Sequence, residues 1–262
     1  MYKKTVRAIE SHAIEGYPAE VCGLVVMVGR AEHYLRCDNK APKDQRGDFF
    51  VISDKDMQAA EELGRIIAIV HSHPDSPATP SQADKVGCEE TDTPWLIVSV
   101  RKGDDGAVKT DGIVRIQPEG FQAPLIHRDF YHGVLDCYEI VRDWYKLQRG
   151  IELSNFERAD NWWKGDQELY LENFPKAGFV EIPQGSDMQP GDVILMQHHS
   201  DRVNHAAIYL DNEYPPGYEG AKMTGLMLHH LYGKPSEVAI YGGYWRDITR
   251  KILRHESNIK EV

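Results

Sequence analysis

The sequence predicts an α+β chain built as two domains. Three features carry this expectation. Short apolar runs of strand length mix with amphipathic helical stretches up to residue 117, the aperiodic segment "PEGFQAPLIHRDF" then interrupts them, and beyond it helices come first and strands follow. At 262 residues, with 41% hydrophobic and 27% charged residues, the chain is long enough for two compact domains with their own cores.

Residues 3–15 have the spacing of a helix, "EVCGLVVMVG" reads as a buried strand closed by Gly29, and "AEHYLRCDN" reads as its hairpin partner. "SDKDMQAAEELG" is a helix with Ser53 as N-cap and Gly64 as stop, followed by the apolar strand "RIIAIV". A loop, a short helix from Ser81 and the strand "PWLIVSVR" come next, and the turn-rich "RKGDDGAVKTDG" returns into "IVRIQP". The two prolines and the glycine of the following segment place the junction at residues 118–128, between domains over 1–117 and 129–254. Past it, residues 137–149 form an amphipathic helix with Ile140, Val141, Trp144 and Leu147 on one face and Gly150 at its end. "ADNWWKGDQELYLENFPKAG" reads as helical, and "QPGDVILMQ", "NHAAIYL" and "LMLHHLY" as successive strands of an antiparallel sheet.

The formal net charge of -11 argues against a surface built to neutralise nucleic-acid phosphates or to coat an anionic membrane. No run of about 18 apolar residues predicts a membrane span, and no apolar stretch of signal-peptide length follows the first lysines, so the chain is expected to be made in the cytoplasm. The cysteines at 22, 37, 88 and 137 form no CxxC pair, and reduced thiols are expected, one of them functional.

The stretch "IVHSHPDSPATPSQADK" concentrates coordinating side chains. Residues i and i+2 of a strand share a face, so His71 and His73 can aim at one point, with Asp84 following in the first turn of the next helix. Two imidazoles and a carboxylate, with a fourth position left for water, is the ligand count of a catalytic zinc site, where the metal lowers the pKa of its water to about 7. Taken singly, Ser81 and Asp84 read as an ordinary helix N-cap and its acidic N3 partner. The joint spacing of His71, His73, Ser81 and Asp84 resembles the zinc motif of the JAMM (MPN+) metallopeptidases, over about residues 1 to 115. That resemblance implies an α/β/α sandwich with His71, His73 and Asp84 as zinc ligands. It also implies Glu20, in "YPAEVCGLVV", as the general base and Ser81 as a donor to the developing oxyanion.

In the second half Cys137 opens a helix, where the dipole and free backbone amides lower a thiol pKa, although a lone cysteine there is more often simply buried. A base is available at His205, and "LMLHHL" offers His229 and His230. "LDCYEIVRDWY", "QPGDVILMQ", "NHAAIYL" and "MLHHL" resemble the signature stretches of the NlpC-type papain-like cell-wall peptidases. The resemblance implies Cys137 as nucleophile, His205 as base, His229 as the orienting residue and Tyr131 as a candidate to line the oxyanion site. Strand alternation favours His229 over His230. Two departures stand out: Tyr138 and Glu139 replace the family's Ser-Gly, and "DNEYPPGYEGAKMTG" lies where a tight hairpin is expected. Trp162 and Trp163 read as core and cleft wall, and the histidines of "MQHHS" as a solvated turn.

A JAMM half followed by an NlpC half resembles the phage tail tip assembly proteins. This implies zinc as cofactor, other tail tip proteins and peptidoglycan peptides as partners, and passage from the host cytoplasm during assembly to the virion tail tip. It further implies a metallopeptidase that processes a tail or partner protein and a thiol peptidase that cleaves peptidoglycan stem peptides. A structural tail-tip component with one or both sites not catalytic is the competing expectation. A cellular deubiquitinase-like isopeptidase has no use for the second half.

Overall fold

The computed structural model describes residues 1–43, 46–47, 49–159, 161–183 and 185–259. They fall into two compact units that part between Gln122 and Ala123. The stretch expected as a junction is divided between them. The amides of Glu119 and Phe121 both donate to Glu89, at 2.8 Å, within the first unit. In the second unit the fully buried Arg128 side chain gathers the carbonyls of Ala123 and Pro124 and pairs with Asp143 at 2.6 Å.

The first unit runs α1 (Lys3–Gly16), β1 (Cys22–Val28), β2 (Ala31–Cys37), α2 (Asp54–Leu63), β3 (Arg65–Pro74), α3 (Gln82–Glu90), β4 (Trp95–Lys102) and β5 (Val108–Ile116). Its sheet has the order β2-β1-β3-β4-β5, antiparallel except between β3 and β4. Apolar side chains leave both faces of the central strands and need cover on each. Ile9 and Ala13 of α1 cover Val25, Val70 and Val98, while Ala60 of α2 and Cys88 of α3 cover Leu24, Ile69 and Trp95 on the opposite face. The result is helix, sheet, helix.

Two elements here are longer than the sequence pattern gives. β3 continues through His71 and His73 to Pro74, because β1 pairs with it as far as His71 and β4 as far as Pro74. β5 begins at Val108, since a tight turn closed by Gly103 and Ala107 lets the strand pair with β4 almost at once.

The second unit contains α4 (Cys137–Arg149), α5 (Leu169–Asn173), β6 (Phe179–Glu181), β7 (Val193–Met196), β8 (His205–Tyr209), β9 (Leu226–His229), β10 (Glu237–Ile240), α6 (Tyr244–Asp247) and β11 (Thr249–His255). Its sheet, β10-β9-β8-β7-β11-β6, is antiparallel throughout. α4 buries Ile140, Val141, Trp144 and Tyr145 among Leu195, Ala206 and Leu253. Leu147, expected on that face, is 40% exposed, and Tyr145 takes the inward position.

The segment 159–178 is not one helix: among its described residues, which exclude Asp160, are single 3-10 turns at Trp162–Lys164 and Pro175–Ala177 and the short α5. Gly165 is extended, Pro175 donates no amide and Gly178 has φ 79°, so the segment is interrupted repeatedly. β6, β10 and β11 are strands that the hydrophobic pattern does not announce; Glu237, Arg250, Lys251 and Arg254 mask their alternation.

α3 approaches β4 closely because it carries a glycine at the contact: a Cβ on Gly87 would lie 2.5 Å from the Trp95 ring. Gly87→Val forces the helix outward and is expected to cost about 1–3 kcal/mol of stability, read as a lower urea midpoint for the first unit. An unchanged midpoint would mean that the Trp95 ring yields instead.

Candidate functional site

β3 emerges at the centre of the first sheet with β1 antiparallel on one side. The register pairs Cys22 with His71, and the Ser72 amide donates to the Val21 carbonyl at 3.0 Å. Glu20 lies two residues before β1 begins, and alternation gives Cys22, His71 and His73 one face of the sheet. It is the face that α2 and α3 cover, where His71 stacks on Phe50 at 4.7 Å and meets the edge of Trp95.

α3 delivers the carboxylate. A helix start leaves backbone amides without partners. Ser81 answers with a capping box, in which Oγ accepts from the Asp84 amide at 3.0 Å and Asp84 Oδ2 accepts from the Ser81 amide at 2.7 Å. The same carboxylate lies 3.1 Å from His71 Nε2 through Oδ1 and 3.3 Å from His73 Nε2 through Oδ2. One ligand atom from each of the three residues lies within 4.8 Å of the others.

His73 Nδ1 donates to the Pro77 carbonyl at 2.9 Å, so the neutral ring presents a bare Nε2. His71 Nε2 stands 3.0 Å from it. Two nitrogen lone pairs at that separation repel unless a proton or a cation lies between them, and a cluster of two imidazoles and a carboxylate suits zinc. Burial works against ionising Asp84, yet its bonds to His71 and His73 outweigh burial and hold the carboxyl far below its ordinary range. Burial lowers the pKa of His71; at His73 burial is outweighed by Asp84 and the Pro77 carbonyl, and the pKa rises. Glu20 is 6% exposed, and its backbone is tied to Arg46 and Asn39.

The second cluster lines a cleft of about 460 Å³ in the second unit, which Cys137, His205, Tyr170 and Trp163 share. Cys137 is the first residue of α4, and Asp136 is its N-cap, accepting from the amides of Tyr138 and Glu139 at 2.9 and 3.0 Å. Those are the donors that the sequence argument assigns to a thiolate. Burial, and then the Asp136 charge, push the Cys137 thiol up to about 11, although Tyr170 and the Ala206 amide pull the other way. Its sulfur lies 3.1 Å from the Tyr170 hydroxyl. The thiol pKa is therefore raised and not lowered, by burial first and by the Asp136 charge second, while the helix amides serve that carboxylate.

His205 is buried, and its Nε2 lies 3.1 Å from His229 Nδ1, which leaves Nδ1 as its remaining nitrogen. Burial holds His205 well below its ordinary pKa, helped by His229 and His198. His230, one residue on, is on the other side of the strand, packed edge-on against Phe130. Tyr131 is not among the residues that line the cleft; its backbone closes a turn with Leu135, while Phe130 and His132 on either side of it do line the cleft.

His198, read from the sequence as part of a solvated turn, lines the cleft and stacks on Trp245 at 5.7 Å. Residues 211–225 do not line it: Tyr214 and Tyr218 stack on each other and pack against the core. Tyr170, Asn204 and Arg158 line it without having been foreseen; only the aromatic content around Tyr170 hinted at a wall.

The departures after Cys137 have a structural answer. Arg158 donates to Asp136 at 2.9 Å and to Glu139 at 2.7 Å, and Glu139 also pairs with Arg142. Tyr138 sends its hydroxyl to the Ser154 carbonyl at 2.7 Å and offers its ring to the Arg158 guanidinium, 5.1 Å away. Asp136 is thereby held below its usual pKa, since the Arg158 charge and the amides of Glu139 and Gly133 outweigh its burial.

Comparison with known proteins matches each unit separately. Residues 2–111 match the family of prokaryotic homologs of the JAB domain, and residues 127–254 match the NlpC/P60 family. Tail tip assembly protein K of Escherichia phage N15 is 37% identical over 258 residues, which span 98% of this chain and 96% of that protein. Tail tip assembly protein K of Escherichia phage lambda is 36% identical over 206 residues, 79% of this chain and 90% of that protein. A solution structure of a Salinibacter ruber protein covers 50% of this chain and 98% of its own at 24% identity, with a TM-score of 0.30, too low to argue from.

The Cys137 environment makes a direct prediction. A thiol pushed to about 11 stays protonated at neutral pH, so its alkylation by iodoacetamide is expected to accelerate through pH 10 without an earlier plateau. Peptide mass analysis reads this at Cys137, since Cys22, Cys37 and Cys88 are buried. A plateau below pH 8 would reveal a thiolate–imidazolium pair instead.

Proposed function

Because the chain belongs to the family of tail tip assembly protein K, with a JAB half and an NlpC/P60 half, we propose that it is a two-site peptidase of a phage tail tip. Its zinc site processes a tail or partner protein, and its thiol site cleaves stem peptides of peptidoglycan during assembly or genome entry. The protein is then made in the host cytoplasm and carried at the virion tail tip. The observation that carries this reading is the cleft itself, where Cys137 opens a helix beside His205, whose far nitrogen is engaged by His229.

In the second unit burial raises the thiol pKa and lowers that of His205, both of which favour general-base catalysis over attack by a stored ion pair. His205 Nδ1 takes the thiol proton as Cys137 Sγ adds to the peptide carbonyl. The imidazolium gives that proton to the departing amine, leaving a thioester that water hydrolyses. Tyr170, with its hydroxyl against the sulfur, is better placed than Tyr131 to donate to the developing oxyanion.

In the first unit His71, His73 and Asp84 hold zinc. Bound zinc supplies Lewis acidity and lowers the pKa of its water to about 7. Glu20, buried just before β1, takes the proton that the attacking water loses. Ser81 Oγ accepts from the Asp84 amide, and its own hydrogen is available to the carbonyl oxygen under attack.

One observation favours a second reading, a structural tail-tip component whose thiol site is not catalytic: the thiol is neutral and already bonded to Tyr170. Digestion of purified peptidoglycan by the wild type, Cys137→Ala and Glu20→Ala, with mass analysis of fragments, separates the two. Stem-peptide cleavage lost only in Cys137→Ala is the expected result, with activity down by at least about a thousandfold. Cleavage by none of the three proteins favours the structural reading. Metal analysis tests the other site: wild-type protein is expected to hold one zinc and the His71→Ala, His73→Ala double variant none, and zinc retained by the double variant overturns the ligand assignment.

A further inference from the structure

His229 raises a question that the thiol-site reading leaves open. A neutral imidazole carries one proton, so the ring that receives it decides which nitrogens donate and which accept. For His205 to accept the Cys137 proton on Nδ1, its own proton must sit on Nε2, pointing at His229 Nδ1, 3.1 Å away. His229 Nδ1 must then be bare, and its proton must sit on Nε2. With the opposite tautomer, His229 donates to His205, the His205 proton moves to Nδ1, and the base has no lone pair for the thiol.

The structure holds a group able to make this choice. His229 Nε2 is fully buried and has no hydrogen-bond partner, an expensive state for a polar atom. Directly across the β9–β10 register stands Glu237, paired with His229. Its Oε1 is 3.6 Å from His229 Nε2, within ion-pair range and a small side-chain rotation from a hydrogen bond. A carboxylate only accepts, so it selects the tautomer with the proton on His229 Nε2. Trp245 packs edge-on against the His229 ring, 4.8 Å away, and helps to bury it.

Resting on the thiol-site reading, we propose that Glu237 is a positioning residue that fixes the His229 tautomer and through it makes His205 Nδ1 the base. The path runs from Cys137 to His205 Nδ1, from His205 Nε2–H to His229 Nδ1, and from His229 Nε2–H to Glu237. No proton beyond the thiol's needs to move. The Glu237 side chain is 62% exposed on the edge strand, so replacing it leaves the core intact.

The test reads tautomers, independent of turnover. In 15N-labelled full-length protein at neutral pH, long-range 1H–15N correlations report which nitrogen of His205 and His229 is protonated. Wild type is expected to show Nε2–H on both rings. Glu237→Gln, whose amide oxygen still accepts, keeps this pattern. Glu237→Leu, which offers no acceptor, shifts His229 toward Nδ1–H, and His205 Nδ1–H signal appears with it. Wild type with Nδ1–H on His229, or Glu237→Leu with unchanged rings, overturns the proposal. Expected tautomers in a protein that cuts no peptidoglycan leave Glu237 in its role and remove the peptidase reading alone.

Discussion

The backbone amides left unpaired at the start of an α-helix must find acceptors, and in each unit the acceptor that answers them determines the site. At α3 the acceptors are Ser81 and Asp84, and the capping box that satisfies the helix also locks the carboxylate against His71 and His73. At α4 the acceptor is Asp136, which takes the first amides and so leaves little of the helix's positive end for Cys137. One requirement of helix geometry places a carboxylate against two imidazoles in the first case and occupies the amides next to the thiol in the second. Burial raises the thiol pKa first, and the charge of the capping Asp136 adds to it.

Asp136 can be buried next to the Cys137 sulfur only because Arg158 meets it. A buried charge without a partner costs several kcal/mol. Arg158 joins Asp136 and Glu139, and its remaining donors reach Asn155 and the Phe156 carbonyl, which ties the irregular segment after α4 back to the helix start. Glu139 and Tyr138 look like departures when read as single letters. In space they are the other half of this arrangement, the carboxylate and the ring that Arg158 needs.

The sequence made the His71, His73 and Asp84 cluster legible because its residues lie close in the chain and its geometry follows from strand alternation plus one helix cap. These three need no long-range contact to be found. The thiol cluster was legible in Cys137, His205 and His229, where alternation separates His229 from His230. Tyr170, His198 and Glu237 were not, since each reaches its place through a connection of low periodicity or a strand whose apolar pattern is masked by charge. The helix expected over 159–178 failed for a related reason: its apolar residues serve a cleft wall and a core, and Gly165, Pro175 and Gly178 divide it. β10 was missed because it is a short edge strand, and β11 because its arginines and lysine remove the clean alternation of a half-buried strand.

The long stretch between β8 and β9 carries a different lesson. Tyr214 and Tyr218 stack on one another and lean on the core, with their hydroxyls bound to the carbonyls of Met223 and Ala221, so the segment folds back on its own residues. The entropy cost of closing a loop grows only slowly with its length, which leaves little thermodynamic pressure on how many residues it contains. A segment anchored in this way acts as a buttress for the sheet and stays out of the cleft. Its exposed part, away from the two tyrosines, is the natural place to attach a label or graft a recognition sequence.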